Sequence, residues 1–153
     1  MKRSLTLAAV SLIAAAGIAL AHENHRDTDL ADPISLRTAA MKNVGQATGI
    51  GARMMKGELA YDPMTARAVL LTLNTSALGF FRMFPEDSQA ADSDAAPAVW
   101  DDRAGFREAS AKFIADTELA LAAPIGTIEQ FGVQFQAVTQ NCGSCHRTYR
   151  IKR

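Results

Sequence analysis

Both cysteines of this 153-residue chain, and its one histidine beyond residue 25, fall within "NCGSCHRTYR", residues 141–150. Cys142-Gly143-Ser144-Cys145-His146 has the C-x-x-C-H spacing that attaches haem c. Two thiols three residues apart can each add across one vinyl group of a single porphyrin, forming two thioethers. The adjoining imidazole then lies under the iron and can donate a nitrogen to it. On a helix, Cys142, Cys145, His146 and Tyr149 fall at i, i+3, i+4 and i+7, which is one face. The spacing therefore predicts one covalent haem c lying against a helix, with His146 as the proximal iron ligand.

Other chemistries fit these residues less well. Exported thiols often pair as disulfides. A thioredoxin-like C-x-x-C belongs at the N-terminus of a helix in a βαβ setting, where the dipole lowers the thiol pKa. Here the pair sits near the end of a helical segment. A zinc site needs a fourth ligand, and His22 and His25 lie far off in an N-terminal tail. No Ser/His/Asp nucleophile arrangement and no distal His/Arg pair of the peroxidase kind is visible, so the chain does not read as an enzyme.

Whatever positions this motif must work outside the cytoplasm. Lys2 and Arg3 precede an uncharged run from Ser4, and Ala19-Leu20-Ala21 ends it, the pattern of a secretory signal peptide over residues 1–21. The expected mature domain is residues 22–153, located in the periplasm. No later stretch has 18 uncharged apolar residues in a row, so no membrane association is expected after cleavage. The chain has 16 basic and 16 acidic residues, and losing Lys2 and Arg3 turns a formal charge of zero into −2. That excess is too small to suggest nucleic acid as a partner. Glu86, Asp87, Asp92, Asp94, Asp101 and Asp102 share one stretch, whereas Arg147, Arg150, Lys152 and Arg153 crowd the C-terminus.

Four helices are expected to carry the motif. Asp32-Pro33 and Asp62-Pro63 each place a capping carboxylate before a proline at the first helical position. Asp101 is the expected cap of a third helix, and Thr127 with Gln130 forms a capping box for a fourth. The helices run from about Pro33 to Lys56, Pro63 to Phe84 (stopped by Pro85), Asp102 to Ala122, and Ile128 to Tyr149. Apolar residues recur at threes and fours: Leu70, Leu73, Ala77 and Phe84; Phe106, Phe113 and Leu121; Phe131, Phe135 and Val138. Short links join the first pair and the last pair, and a long one from Pro85 to Trp100 joins the halves. The fold class is all-α, an antiparallel four-helix bundle. Trp100 is expected to staple the long link to the third helix, and Tyr149 to pack on the haem face.

With "LRTAAMK" in the first helix, "PAVWDDRAGF" opening the third and "CGSCHRTYR" closing the fourth, the chain resembles the class II c-type cytochromes, including cytochrome c′. The resemblance implies roles for particular positions. Cys142 and Cys145 match the thioether residues and His146 the proximal ligand. Arg37, with Thr38 beside it, matches an arginine near a haem propionate. Arg147 and Arg150 match basic residues near the propionates. Ser93 and Asp94 match a loop that approaches the haem edge. Members of the family often form homodimers through the first two helices.

Met41 lies one turn after Arg37 on the same face and matches the distal position, whose identity varies in the family. A thioether can ligate iron and raise the reduction potential, or pack over the ring as a flexible filler. Two functions follow. A His146/Met41 haem would carry single electrons to and from redox partner proteins. An open distal face would bind small diatomic gases, nitric oxide or carbon monoxide. The "RxxxMK" pattern favours the carrier. Lys42, one residue along, is expected to point off the Met41 face.

Overall fold

The computed structural model describes residues 32–91 and 93–151; the expected leader, the first two histidines, Asp92, Lys152 and Arg153 lie outside them. Among the described residues there are five helices: α1 (Pro33–Met55), α2 (Pro63–Phe80), α3 (Ala98–Asp101), α4 (Arg103–Ala122) and α5 (Ile128–Tyr149). None of them is long and apolar enough to cross a membrane.

The starts are set by local hydrogen bonding. Asp32 accepts the amides of Ile34 at 3.1 Å and Ser35 at 2.8 Å, and Asp62 accepts that of Thr65 at 2.7 Å. Bonding to Ser35 and Thr65 holds both carboxyls below their ordinary pKa. Thr127 and Gln130 form the expected reciprocal capping box at α5. α1 ends at Gly57, whose φ of 72° lets its amide reach the Met54 carbonyl while Glu58 N–H reaches Arg53. That is a Schellman closure.

Two boundaries differ from expectation. The helix through Leu70 and Leu73 stops at Phe80, and Phe81–Met83 tightens into a 3-10 turn. Pro85 disfavours helical backbone at Phe84, so the last turn closes with shorter-range bonds. The α4 cap is Asp102, accepting Gly105 N–H at 3.0 Å, and not Asp101. Asp101 is absorbed into the one-turn helix α3, which the long link forms before α4 begins.

The helices pack in a ring, α1 on α2, α2 on α4, α4 on α5 and α5 back on α1. One apolar core fills the half of the bundle built from Val44, Met54, Leu70, Leu73, Phe131 and Val138. A buried pair, Asn74 and Thr117, ties α2 to α4 across 3.0 Å. Gly51 permits a close approach of α1 to α5: a Cβ there would lie 2.5 Å from the Phe135 ring. A second core gathers Phe84, Val99 and Phe106, with Phe80, Trp100, Cys145 and Tyr149 packed against it. Aromatic edges bind it, with Phe84 and Phe106 centroids 4.9 Å apart and Phe106 and Tyr149 5.1 Å apart. Trp100 Nε1–H donates to the Pro85 carbonyl at 2.9 Å, so the indole staples the two ends of the long link to each other.

Candidate functional site

A cavity of about 560 Å³ draws its walls from both cores. From α5 come Cys142, Cys145, His146 and Tyr149, the four residues that helical spacing placed on one face. From α1 come Arg37, Thr38, Met41, Lys42, Val44 and Thr48. Phe80 of α2, Phe84 just after the 3-10 turn, and Phe106 and Phe113 of α4 supply aromatic surface, and Ser93 and Asp94 supply the loop edge. The long, continuous α5 is what brings the motif inward. Its Phe131, Phe135 and Val138 are buried in the first core, and the same stripe continues into the cysteines.

The electrostatics separate attachment from thiol redox chemistry. Burial pushes both the Cys142 and Cys145 thiols above their ordinary pKa, and the Cys142 charge adds to the effect at Cys145. A catalytic dithiol needs the opposite shift. The two cysteines are not bonded to each other. Burial, and then the nearby Arg150 charge, lower the pKa of His146, so its ring is neutral at pH 7 and keeps a lone pair for a metal. Among the described residues no three of His, Cys, Asp or Glu converge as a metal site. The donor set thus suits an iron that brings its own macrocycle. An apolar cavity of ligand size with two thiols and an imidazole on one helix face fits a covalent haem.

Arg37 is 5% exposed and its guanidinium is given to the long link. Nη1 donates to Ser88 Oγ at 3.0 Å, and Nη2 to the Ser88 carbonyl at 2.9 Å and to Ser93 Oγ at 2.8 Å. The same group lies 4.9 Å over the Phe84 ring and 5.7 Å over Trp100. It lines the cavity, but these bonds make it the clamp of the loop that forms the cavity's edge. Ser93 is buried between Arg37 and the Ala95 amide. Asp94 pairs with Arg150 at 3.4 Å, and the backbones join there too, with Ala96 N–H to Tyr149 O at 3.0 Å and Ile151 N–H to Asp94 O at 2.8 Å. Arg150 lines the cavity from this bridge.

Arg147 does not line the cavity; it borders a separate recess on the outer side of α5 with Lys112. Lys42 does line it, against expectation. The cavity spans an arc of α1 wide enough to take in residues on both flanks of Met41. Met41 itself is partly buried and packed on the first core. Tyr149 donates its phenol to Asp102 Oδ2 at 2.8 Å, and its pKa is pushed up to about 12, first by burial and then by that bond. Gly105 makes room, since a Cβ there would sit 2.6 Å from the phenol oxygen. The pairings of Arg37 with Ser88 and of Tyr149 with Asp102 escaped the sequence reading. Each joins residues about fifty positions apart, and a single sequence carries no local signal for that.

Comparison with known proteins agrees with the geometry. A family model described as Cytochrome C′ matches residues 32–150. A cytochrome c-556 from Agrobacterium tumefaciens (strain B2A) is 33% identical over 123 residues, spanning 80% of this chain and 100% of the relative. The solved cytochrome c′ of Rhodopseudomonas palustris superposes with a TM-score of 0.75 at 32% identity, covering 80% of this chain and 98% of its own. A variant of cytochrome c prime from Alcaligenes xylosoxidans, solved as a nitric oxide complex, gives 0.72 at 25% identity, covering 80% and 95%.

Proposed function

The chain belongs to the cytochrome c′ family and so carries covalent haem c, and from that premise we propose that it is a periplasmic carrier of single electrons whose haem iron is held by His146 and Met41. Haem c supplies a one-electron couple at iron. The rest of the work falls to the chain's own residues. Cys142 and Cys145 anchor the ring by thioethers, and His146 is kept neutral beside them. Phe80, Phe84, Phe106 and Phe113 would shield the ring from water, which would limit the solvent rearrangement that accompanies each electron. Arg37 holds the loop that closes the edge.

The observation that carries the reading is the placement of Met41. It enters from α1 the same cavity that His146 enters from α5. Of the α1 lining residues only Met41 and Lys42 have iron-ligating atoms; Met41 is partly buried and Lys42 is exposed. A thioether suits a carrier, since His/Met ligation raises the reduction potential. The test is Met41→Ala. The ferrous variant should bind carbon monoxide rapidly while the parent does not. If parent and variant give the same spectra with and without the gas, Met41 is not a ligand.

A second reading has one observation in its favour: a similar protein has been solved with nitric oxide bound. In that case Met41 packs over the ring, the iron face stays open, and the apolar walls admit a diatomic gas.

A further inference from the structure

We propose that Lys42 is the counter-ion of a haem propionate, the α1 side chain that pairs with the charged edge of the ring. The inference rests on haem c lying in the cavity. It holds whether Met41 ligates the iron or packs over it.

Charge balance is the first argument. Haem c carries two carboxylates. The cavity is lined by three cations, Arg37, Lys42 and Arg150, and by one carboxylate, Asp94. The lining therefore has two positive charges to set against the two propionates. Phe80, Phe84, Phe106 and Phe113 give it an apolar surface, on which an unpaired carboxylate is strongly disfavoured. The propionates belong at the mouth of the cavity, among the exposed residues of its lining. Lys42, Asp94 and Arg150 are such residues.

Commitment of the other two cations is the second argument. A guanidinium has five N–H donors, and four of those on Arg37 are given to protein oxygens. Nη1 donates to the Met83 carbonyl at 3.4 Å and Ser88 Oγ at 3.0 Å, and Nη2 to the Ser88 carbonyl at 2.9 Å and Ser93 Oγ at 2.8 Å. A propionate could take that guanidinium only by undoing the clamp on the cavity's edge. Arg150 pairs with Asp94 at 3.4 Å, so a carboxylate that approaches Arg150 also meets the Asp94 charge. Lys42 makes no ion pair among the described residues. Its four-carbon stem can cover apolar surface while the ammonium stays in water, which is how an exposed lysine comes to line this cavity. The family resemblance points to Arg37, Arg147 and Arg150 for this role. The structure leaves Arg147 outside the cavity and brings Lys42 into its lining. Where α5 holds the ring by two thioethers, Lys42 ties it to α1, the helix that carries Met41.

The experiment uses the haem-loaded protein with isotope-labelled haem, in the ferrous state, with carbon monoxide added if the iron takes it, so that the iron is diamagnetic. The carboxyl shifts of both propionates are followed against pH in the parent, Lys42→Gln, Lys42→Arg and Arg53→Gln. Arg53 is an exposed cation further along α1 and outside the cavity lining, so its variant removes the same charge elsewhere on the same helix. An ammonium beside a carboxylate favours the ionised form, so Lys42→Gln should weaken the acid dissociation of one propionate about tenfold or more. Lys42→Arg should restore the parent behaviour, and Arg53→Gln should leave both propionates as they are. In the parent, magnetisation transfer should link the Lys42 ε-methylene to the methylenes of the same propionate. An unchanged titration in Lys42→Gln overturns the proposal, as does an equal change in Arg53→Gln. Magnetisation transfer to the propionates from Arg37 or Arg150 but not from Lys42 also overturns it. Thioether attachment keeps the ring on the chain in every variant, so each titration can be read.

Discussion

Tyr149 shows how much one side chain does at this site. Its ring packs on Phe106 beside the cavity while its phenol reaches Asp102, the residue that also caps α4. One carboxylate thus ties the end of α5 to the start of α4. An unfolded tyrosine ionises near pH 10, whereas Tyr149 does so at about 12. The folded state holds the proton more tightly, so this contribution to stability is fully present below pH 10 and is lost as pH rises through 12. The stability difference between the parent and Tyr149→Phe should therefore be constant up to pH 10 and shrink between 10 and 12. Denaturant midpoints across that range measure it, and a difference that does not change with pH would contradict the account. That Tyr149 shares a cavity wall with Cys142, Cys145 and His146 was legible, because helical spacing links the four. Its partner was not, because nothing near Tyr149 in sequence points to Asp102. Arg37 teaches the same lesson. Its position on α1 was readable from the motif around it, but its bonds to Ser88 and Ser93 depend on how a bland loop folds back.

Helix starts were legible because capping is local chemistry. Asp32, Asp62 and Thr127 each bond to amides two or three residues ahead. The link between the halves was not, since α3 and the 3-10 turn are single turns held by tertiary packing rather than by a periodic stripe. The contact of α1 with α5 belongs to this scale too. Gly51 lets Phe135 lie on the α1 backbone, which sets how close the helix with Met41 comes to the helix with His146. A methyl group there would have to displace the ring. Gly51→Ala should cost on the order of 1–3 kcal/mol, as overpacking of a filled core does. A chemical-denaturation midpoint tests this, and no loss of stability would mean that the helices can part without penalty.

At the scale of the molecule, the bundle divides its labour. One half is packed solid, with Leu70, Phe131 and Val138 fully or almost fully buried, and holds the four long helices together. The other half lines a cavity with aromatic walls and closes it with a loop clamped from α1 by Arg37 and from the end of α5 by the bridge at Ala95 and Arg150. Apolar walls on one side and a clamped loop at the edge are what the proposed carrier would need to hold a ring in place. The whole reading turns on whether the iron has a protein ligand on its α1 side. An absorption spectrum of the ferrous protein, recorded with and without carbon monoxide, tests this most directly. With Met41 bound to the iron, the two spectra should coincide. A large and rapid change on adding the gas would contradict the account and make Met41 a packing residue over an open iron.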